Sequence, residues 1–195
     1  MNKTRLEAFS DGVFAIIMTI MVLELKIPHG RQLKDLLEAW PVFFSYLQSF
    51  LFVGNYWLNH HHLMHTAKRV NAPIMLSNLA LLFFLSLVPF ATGWVGETEF
   101  APATVAVYGV ILIFPAFAYT ALMMTIRKVS HWNAEQTKAF DRLGKKSILS
   151  LGIYVAGIGL TFVHPYIGEA LYLLVSVFWV IPDRHIERVF SSEED

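Results

Sequence analysis

The chain has 195 residues, 55% of them hydrophobic and only 15% charged, with a mean hydropathy of +0.51, which places it outside the soluble globular norm. Fifteen Lys and Arg balance fifteen Asp and Glu, so the total charge gives no sign of a nucleic-acid binder. Cysteine is absent, which excludes disulfides, thiolate metal centres and Cys nucleophiles.

Six long apolar segments follow one another, at about 4–25, 39–64, 72–96, 101–125, 144–163 and 165–182. Each comes near the ~20 residues that cross a hydrocarbon core of ~30 Å. Backbone groups in lipid must bond within the chain, and the runs do not alternate as barrel strands do. The expectation is an all-α membrane protein of six transmembrane helices forming one domain over residues 1–195. The first run lacks a small-residue cleavage site and ends in Glu24-Leu25-Lys26, so it reads as a retained helix.

The first segment should begin at Thr4, because Thr4-x-x-Glu7 has the form of a capping box with Glu7 as a local cap. A helix over 4–25 would be about 33 Å long, enough to span. Ile16, Ile20 and Leu23 stand at i, i+4 and i+7 on one narrow face, with Thr19 at its edge. Asp11 projects from roughly the opposite face. A carboxylate inside a membrane helix costs about 2.5–3.5 kcal/mol on insertion scales, so it needs partners. Arg5, Ser10, Trp57 and His60 are the candidates. Glu24, at the far end, can reach water.

The second segment ends in His60-His61-His62-Leu63-Met64-His65, where His61 and His65 have a spacing that can share a metal, although no carboxylate follows to complete a site. Pro89 and Pro115 fall within segments and should kink them. Thr104-Val-Ala-Val-Tyr108-Gly109 superficially resembles a carbonyl filter, but it lacks the first glycine and lies in a continuous apolar run. The stretch from Arg127 to Lys146 reads as a cytoplasmic loop holding a short basic helix near the membrane surface. Gly152-x-x-x-Ala156 and Gly157-x-Gly159 read as helix-packing faces. Trp40, Trp94, Trp132 and Trp179 sit near segment ends, as interfacial anchors do.

Charge sets the orientation. With the N-terminus inside, the outer loops hold only Lys26, Arg31 and Lys34 of the fifteen Lys and Arg, so both termini should be cytoplasmic. No nucleotide-binding glycine loop, catalytic triad or paired-carboxylate site is evident, which argues against an enzyme.

The string Arg5-x-x-x-Phe9-Ser10-Asp11, followed by Gly-Val-Phe-Ala-Ile-Ile, resembles the first-helix motif of the transmembrane protein 175 family of potassium channels. Tyr56-Trp57-x-x-His60-His61, Asn78 and Leu87-Val88-Pro89-Phe90 extend the likeness. The resemblance implies a one-repeat bacterial member, a homotetramer in which four copies surround one axis lined by the first helix. It implies a constriction made by Ile16, Ile20 and Leu23, with Thr19 as a possible polar ring, and potassium selectivity without a carbonyl filter. It also implies a structural or gating network of Arg5, Asp11 and His60 with Trp57 beside it, in the setting of Phe9 and Ser10. The expected partners are a second copy of the chain, the lipid bilayer and monovalent cations. K⁺ is the permeant ion, no cofactor or metal is expected, and the bacterial inner membrane is the expected location. The competing reading is a histidine-dependent transition-metal carrier or haem-binding membrane protein using the run at 60–65 with His131 or His164.

Overall fold

The computed structural model describes residues 2–180 apart from residues 26, 29, 31 and 131. All regular structure among them is helical. Helix α1 (Lys3–Leu23) starts two residues earlier than the capping-box pattern suggests, because Asn2, not Thr4, is the N-cap and its side chain accepts from the Thr4 amide. Glu7 instead lies 3.9 Å from Lys3, as a partly exposed i,i+4 pair. After α1 comes a short helix that hydropathy does not announce, α2 (Leu33–Glu38), where the Asp35 carboxylate accepts from the Gln32 amide.

Helix α3 (Trp40–His65) carries the second apolar segment. The third segment is not one kinked helix. It divides into α4 (Ala72–Leu85) and α5 (Val88–Glu97), with Pro89 in the first turn of α5, where its missing N–H costs nothing. Pro115, by contrast, lies inside the unbroken helix α6 (Pro102–Val129). Between α5 and α6 the backbone turns through Glu99 and Phe100, both left-handed with φ of 49° and 63°. Burial of the Phe100 ring against Trp40, Phe44 and Tyr166 offsets that strain.

The largest departure from expectation lies at 127–146. Helix α6 reaches Val129, and α7 (Ala134–Thr161) runs without a break from the basic stretch into the fifth apolar segment. Asn133 caps it: its side chain accepts from the Gln136 amide, and Gln136 Oε1 accepts from the Asn133 amide. At 28 residues α7 is about 42 Å long, more than a hydrocarbon core of ~30 Å requires. Helix α8 (Pro165–Val180) follows the turn at His164. Residues 181 and 182 of the expected sixth segment, together with Lys26, Arg31, His131, Arg184 and Arg188, lie outside the described residues.

Four of these elements are long and apolar enough to cross a membrane on their own terms: α1, the α4–α5 pair, α6 and α7. Helix α3 has the length but carries Gln48, Asn55 and Asn59 as well as the histidines, and α8 is described over only 16 residues. The chain is a multi-pass membrane protein.

The helices are not packed equally. Helix α1 rests on α3, α4 and α5, whereas α7 packs mainly on α6 and α8. The core therefore lies between α3, α4, α5 and α6, with α1 on one flank and α7 on another. Polar side chains in that core bond one another across helices. Ser49 meets Tyr108 at 2.7 Å and accepts from Thr92 at 2.6 Å, and Glu169 of α8 accepts from Gln48 Nε2 at 2.8 Å. Gly109 and Gly157 make room for the Tyr172 ring, since a Cβ at either would collide with it. The small-residue face on α7 is only partly a packing face within the subunit: Gly157 meets Tyr172, whereas Gly152 and Gly159 have open space where a Cβ would be.

Candidate pore helix and its anchoring network

Helix α1 has two unlike faces. Leu6, Ser10, Phe14, Ile17 and Met21 are buried, at successive spacings of three and four. On the other side Ile16 is 59% exposed, Ile20 41% and Leu23 75%, with Thr19 exposed between them. Three large aliphatic side chains open to the outside on one stripe, in a chain of this hydropathy, face lipid, another subunit or a water-filled path. Thr19 donates its hydroxyl hydrogen to the Ala15 carbonyl at 2.7 Å, so its methyl and the oxygen lone pairs remain for the outer side. Ile16 and Ile20 also border a groove of about 570 Å³ against α5, walled by Pro89, Phe90 and Trp94 and ending at Glu24 and Glu97. Glu24 leans on α5: a Cβ added at Gly93 would come within 2.9 Å of its Oε2.

The buried side of α1 is fixed by a hydrogen-bonded chain through three helices. Ser10 Oγ donates to the Leu6 carbonyl at 2.9 Å, and Asn78 Nδ2 of α4 donates to Ser10 Oγ at 2.9 Å. Asn78 Oδ1 then accepts from His60 Nε2 of α3 at 2.7 Å. His60 is 1% exposed, Asn78 and Ser10 are wholly buried, and the Phe14 ring lies 5.5 Å from the imidazole. Asn78 uses its donor on one helix and its acceptor on another, so it sets the spacing of α1 from α3. Apolar packing alone would leave that spacing free to slide.

The expected network of Arg5, Asp11 and His60 is therefore two separate contacts. Asp11 pairs with Trp57, whose Nε1 donates to Oδ1 at 3.0 Å, but both are exposed in the single subunit. His60 bonds to Asn78 and not to Asp11. Arg5 and Phe9 are exposed, with Phe9 at 51%. The reason is helical geometry: Ser10 and Asp11 are about 100° apart around α1, so only one of them can face α4. The N-terminal end of α1 is tied separately, by Lys3 Nζ donating to the His65 carbonyl at 3.1 Å.

From this geometry Asp11→Ala should cost about 1 kcal/mol through the bond it removes from Trp57, and Glu24→Ala should cost less. Thermal melting of the two variants in one detergent checks the order, and equal midpoints would count against it.

The remaining sequence candidates fall elsewhere. His61 and His65 stack edge to face, with ring centroids 4.6 Å apart, and His62 packs 5.8 Å from His61. Among the described residues no group of three or more His, Cys, Asp or Glu is arranged to hold a metal ion. His164 is at the opposite end of the bundle, on Tyr166. The filter-like string at 104–109 lies within α6 and is buried except for Val107, and Tyr108 is bonded to Ser49.

Comparison with known proteins agrees with these features. Residues 5–89, which contain all but the first two residues of α1, the Asp11–Trp57 pair and the Ser10–Asn78–His60 chain, match the family model described as "Endosomal/lysosomal potassium channel TMEM175". Over 188 residues the chain is 50% identical to a potassium channel of Chryseobacterium sp., covering 96% of this chain and 97% of that one. A potassium channel of Streptomyces collinus is 30% identical, with 92% of each covered. The crystal structure of a lysosomal potassium-selective channel TMEM175 homolog from Chamaesiphon minutus superposes with a TM-score of 0.80 at 27% identity, over 91% of this chain and 96% of that one. The chain belongs to the TMEM175 potassium channel family, a family of channels and not of enzymes.

Proposed function

We propose that the chain is one subunit of a homotetrameric, potassium-selective channel of a bacterial inner membrane. Its 195 residues act as one channel domain of six spans with both termini cytoplasmic. The observation that carries this reading is the exposed stripe Ile16, Ile20 and Leu23 on a helix whose opposite side is anchored by Ser10. A single α1 cannot enclose a path, but four copies around one axis would bring these side chains together as stacked apolar rings, with Thr19 supplying hydroxyls between them.

Such rings offer no carbonyl oxygens to replace an ion's hydration. Passage then depends on how readily the ion sheds water, which favours K⁺ over Na⁺ less sharply than a carbonyl cage would. When the subunits spread the path wets, and when they close it dries. Asp11 with Trp57, and Arg5 and Phe9 at the inner end, lie on the exposed surface of α1 and α3, where they can carry contacts between neighbouring subunits. Reconstitution in liposomes with opposing K⁺ and Na⁺ gradients tests the function. A reversal potential near the K⁺ equilibrium value is expected, and a value indifferent to the cation would overturn selectivity.

Assembly has its own test. The mass of the detergent-solubilised complex should be that of four chains, about 89 kDa from 22.2 kDa each. A stable monomer, or a dimer with nothing larger in lipid, would rule out the central pore.

A further inference from the structure

Helix α8 carries the one Asp or Glu side chain that is buried among the described residues. Glu169 is 2% exposed, and no Lys, Arg or His of those residues lies within ion-pair distance of it. An ionised carboxylate taken out of water without a counter-charge is strongly disfavoured, and one neutral donor does not offset that. Helices α3, α6 and α7 pack against α8. The titratable groups they and α8 turn towards Glu169 are tyrosines: Tyr108 from α6 and Tyr172 from α8 itself. Tyr154 of α7 stands behind them, its ring 5.8 Å from that of Tyr172. Helix α3 contributes Gln48 and Ser49. None of these groups carries a positive charge.

The hydrogen bonds at this point are one donor short. Gln48 Nε2 donates to Glu169 Oε2 at 2.8 Å, but Gln48 Oε1 and Glu169 Oε1 are both buried and neither has a donor. Two orphaned acceptors, on two groups that already share a bond, lack a single hydrogen between them. A neutral carboxyl has that hydrogen, and a carboxylic acid and a primary amide can join through two parallel bonds. The surroundings suit nothing larger. A Cβ at Gly109 or Gly157 would collide with Tyr172, and one at Gly168 with Thr161, so the helices meet at contact distance beside Glu169.

We propose that Glu169 is a proton-binding site, held as a neutral carboxylic acid whose Oε1–H donates to Gln48 Oε1 while Oε2 accepts from Gln48 Nε2. The proton is the ligand, and the two-bond ring it closes pins α8 to α3. Helix α3 is also the one whose Trp57 and His60 bond Asp11 and Asn78, so the proton steadies the element against which α1 rests. The folded chain then holds one proton more than the unfolded chain at neutral pH, and the stability this supplies is lost as the pH rises. No residue of α1 takes part, so the site holds whether or not the pore assignment does.

The test is infrared difference spectroscopy of the protein in liposomes. At neutral pH the parent should show one carbonyl stretch of a protonated carboxyl that Glu169→Gln lacks. Transfer of the parent into D₂O should lower the frequency of the same band, a check that needs no variant. Gln48→Met, which takes away the donor to the carbonyl oxygen, should raise it. Melting midpoints give an independent readout. Glu169→Gln keeps both bonds and has no proton to lose, so its midpoint should match the parent's at neutral pH and exceed it in alkaline solution. Carboxylate stretches in place of the carbonyl band would overturn the proposal and assign the orphaned oxygens to a water or a cation. Equal loss of stability with rising pH in the parent and in Glu169→Gln would overturn it as well.

Discussion

Ile16→Asn and Leu23→Ser should each raise Na⁺ current relative to K⁺, lowering the permeability ratio by roughly threefold to tenfold, where tenfold is ~1.4 kcal/mol. The expectation rests on what these side chains lack. An aliphatic ring holds no water and ligates no ion, so both ions pay for dehydration, and Na⁺ pays more. An amide or hydroxyl at the same level keeps the path wet and lets Na⁺ cross with more of its shell. Both positions are exposed in the subunit, so neither substitution buries a polar group within it. Met18→Asn is the contrasting case: Met18 is partly buried against the core, near Gly54. It should lower the yield of folded protein and leave the selectivity of what folds largely intact. Reversal potentials measured for each variant decide the matter. Unchanged ratios in well-folded Ile16, Ile20 and Leu23 variants would remove α1 from the pore, and a change confined to Tyr108 or Gly109 variants would move the filter to α6.

What could be read from the sequence depended on how local the cause was. The exposed stripe of α1 follows from a period of 3.6 alone, and Ile16, Ile20 and Leu23 are exposed together in the folded chain. The pairing of Asp11 was legible only as a choice among four donors, since which of them is reached depends on where α3 sits. Asn78 is visible in the sequence as a lone amide in an apolar run. A polar side chain there needs partners, and Ser10 and His60 are the ones the packing supplies. The same signal marked Gln48 and Glu169, which lie in apolar segments and bond each other across 121 residues. Residues 127–146, expected as a loop holding a short basic helix, belong mostly to α6 and α7, because hydropathy measures where lipid is, not where a helix ends. The signal that was available is local: Asn133-x-x-Gln136 is a capping pattern, and it starts α7 where the helix begins.

Asn78→Leu should be among the most destabilising single substitutions near α1. Leucine has the branching and the heavy-atom count of asparagine and suits a helix in lipid, so hydropathy alone would rate the change neutral or favourable. The bonding says otherwise. Removing the amide orphans His60 Nε2 and takes from Ser10 Oγ the donor it receives, and both groups are buried beyond the reach of water. Each such loss costs about 1–3 kcal/mol. The hydrogen bonds themselves are worth less, since single bonds in membrane proteins average ~0.6 kcal/mol in double-mutant cycles. The penalty is therefore dominated by the orphaned groups and should shrink when they are removed as well. Asn78→Leu combined with His60→Leu and Ser10→Ala should recover part of the stability lost by Asn78→Leu alone. It should nevertheless not restore conduction, because an apolar contact does not fix the spacing of α1 from α3. Melting midpoints and liposome flux for the single and triple variants check both halves. A single variant as stable as the parent, or a triple variant that conducts normally, would show that the chain from Ser10 to His60 does not set the position of α1.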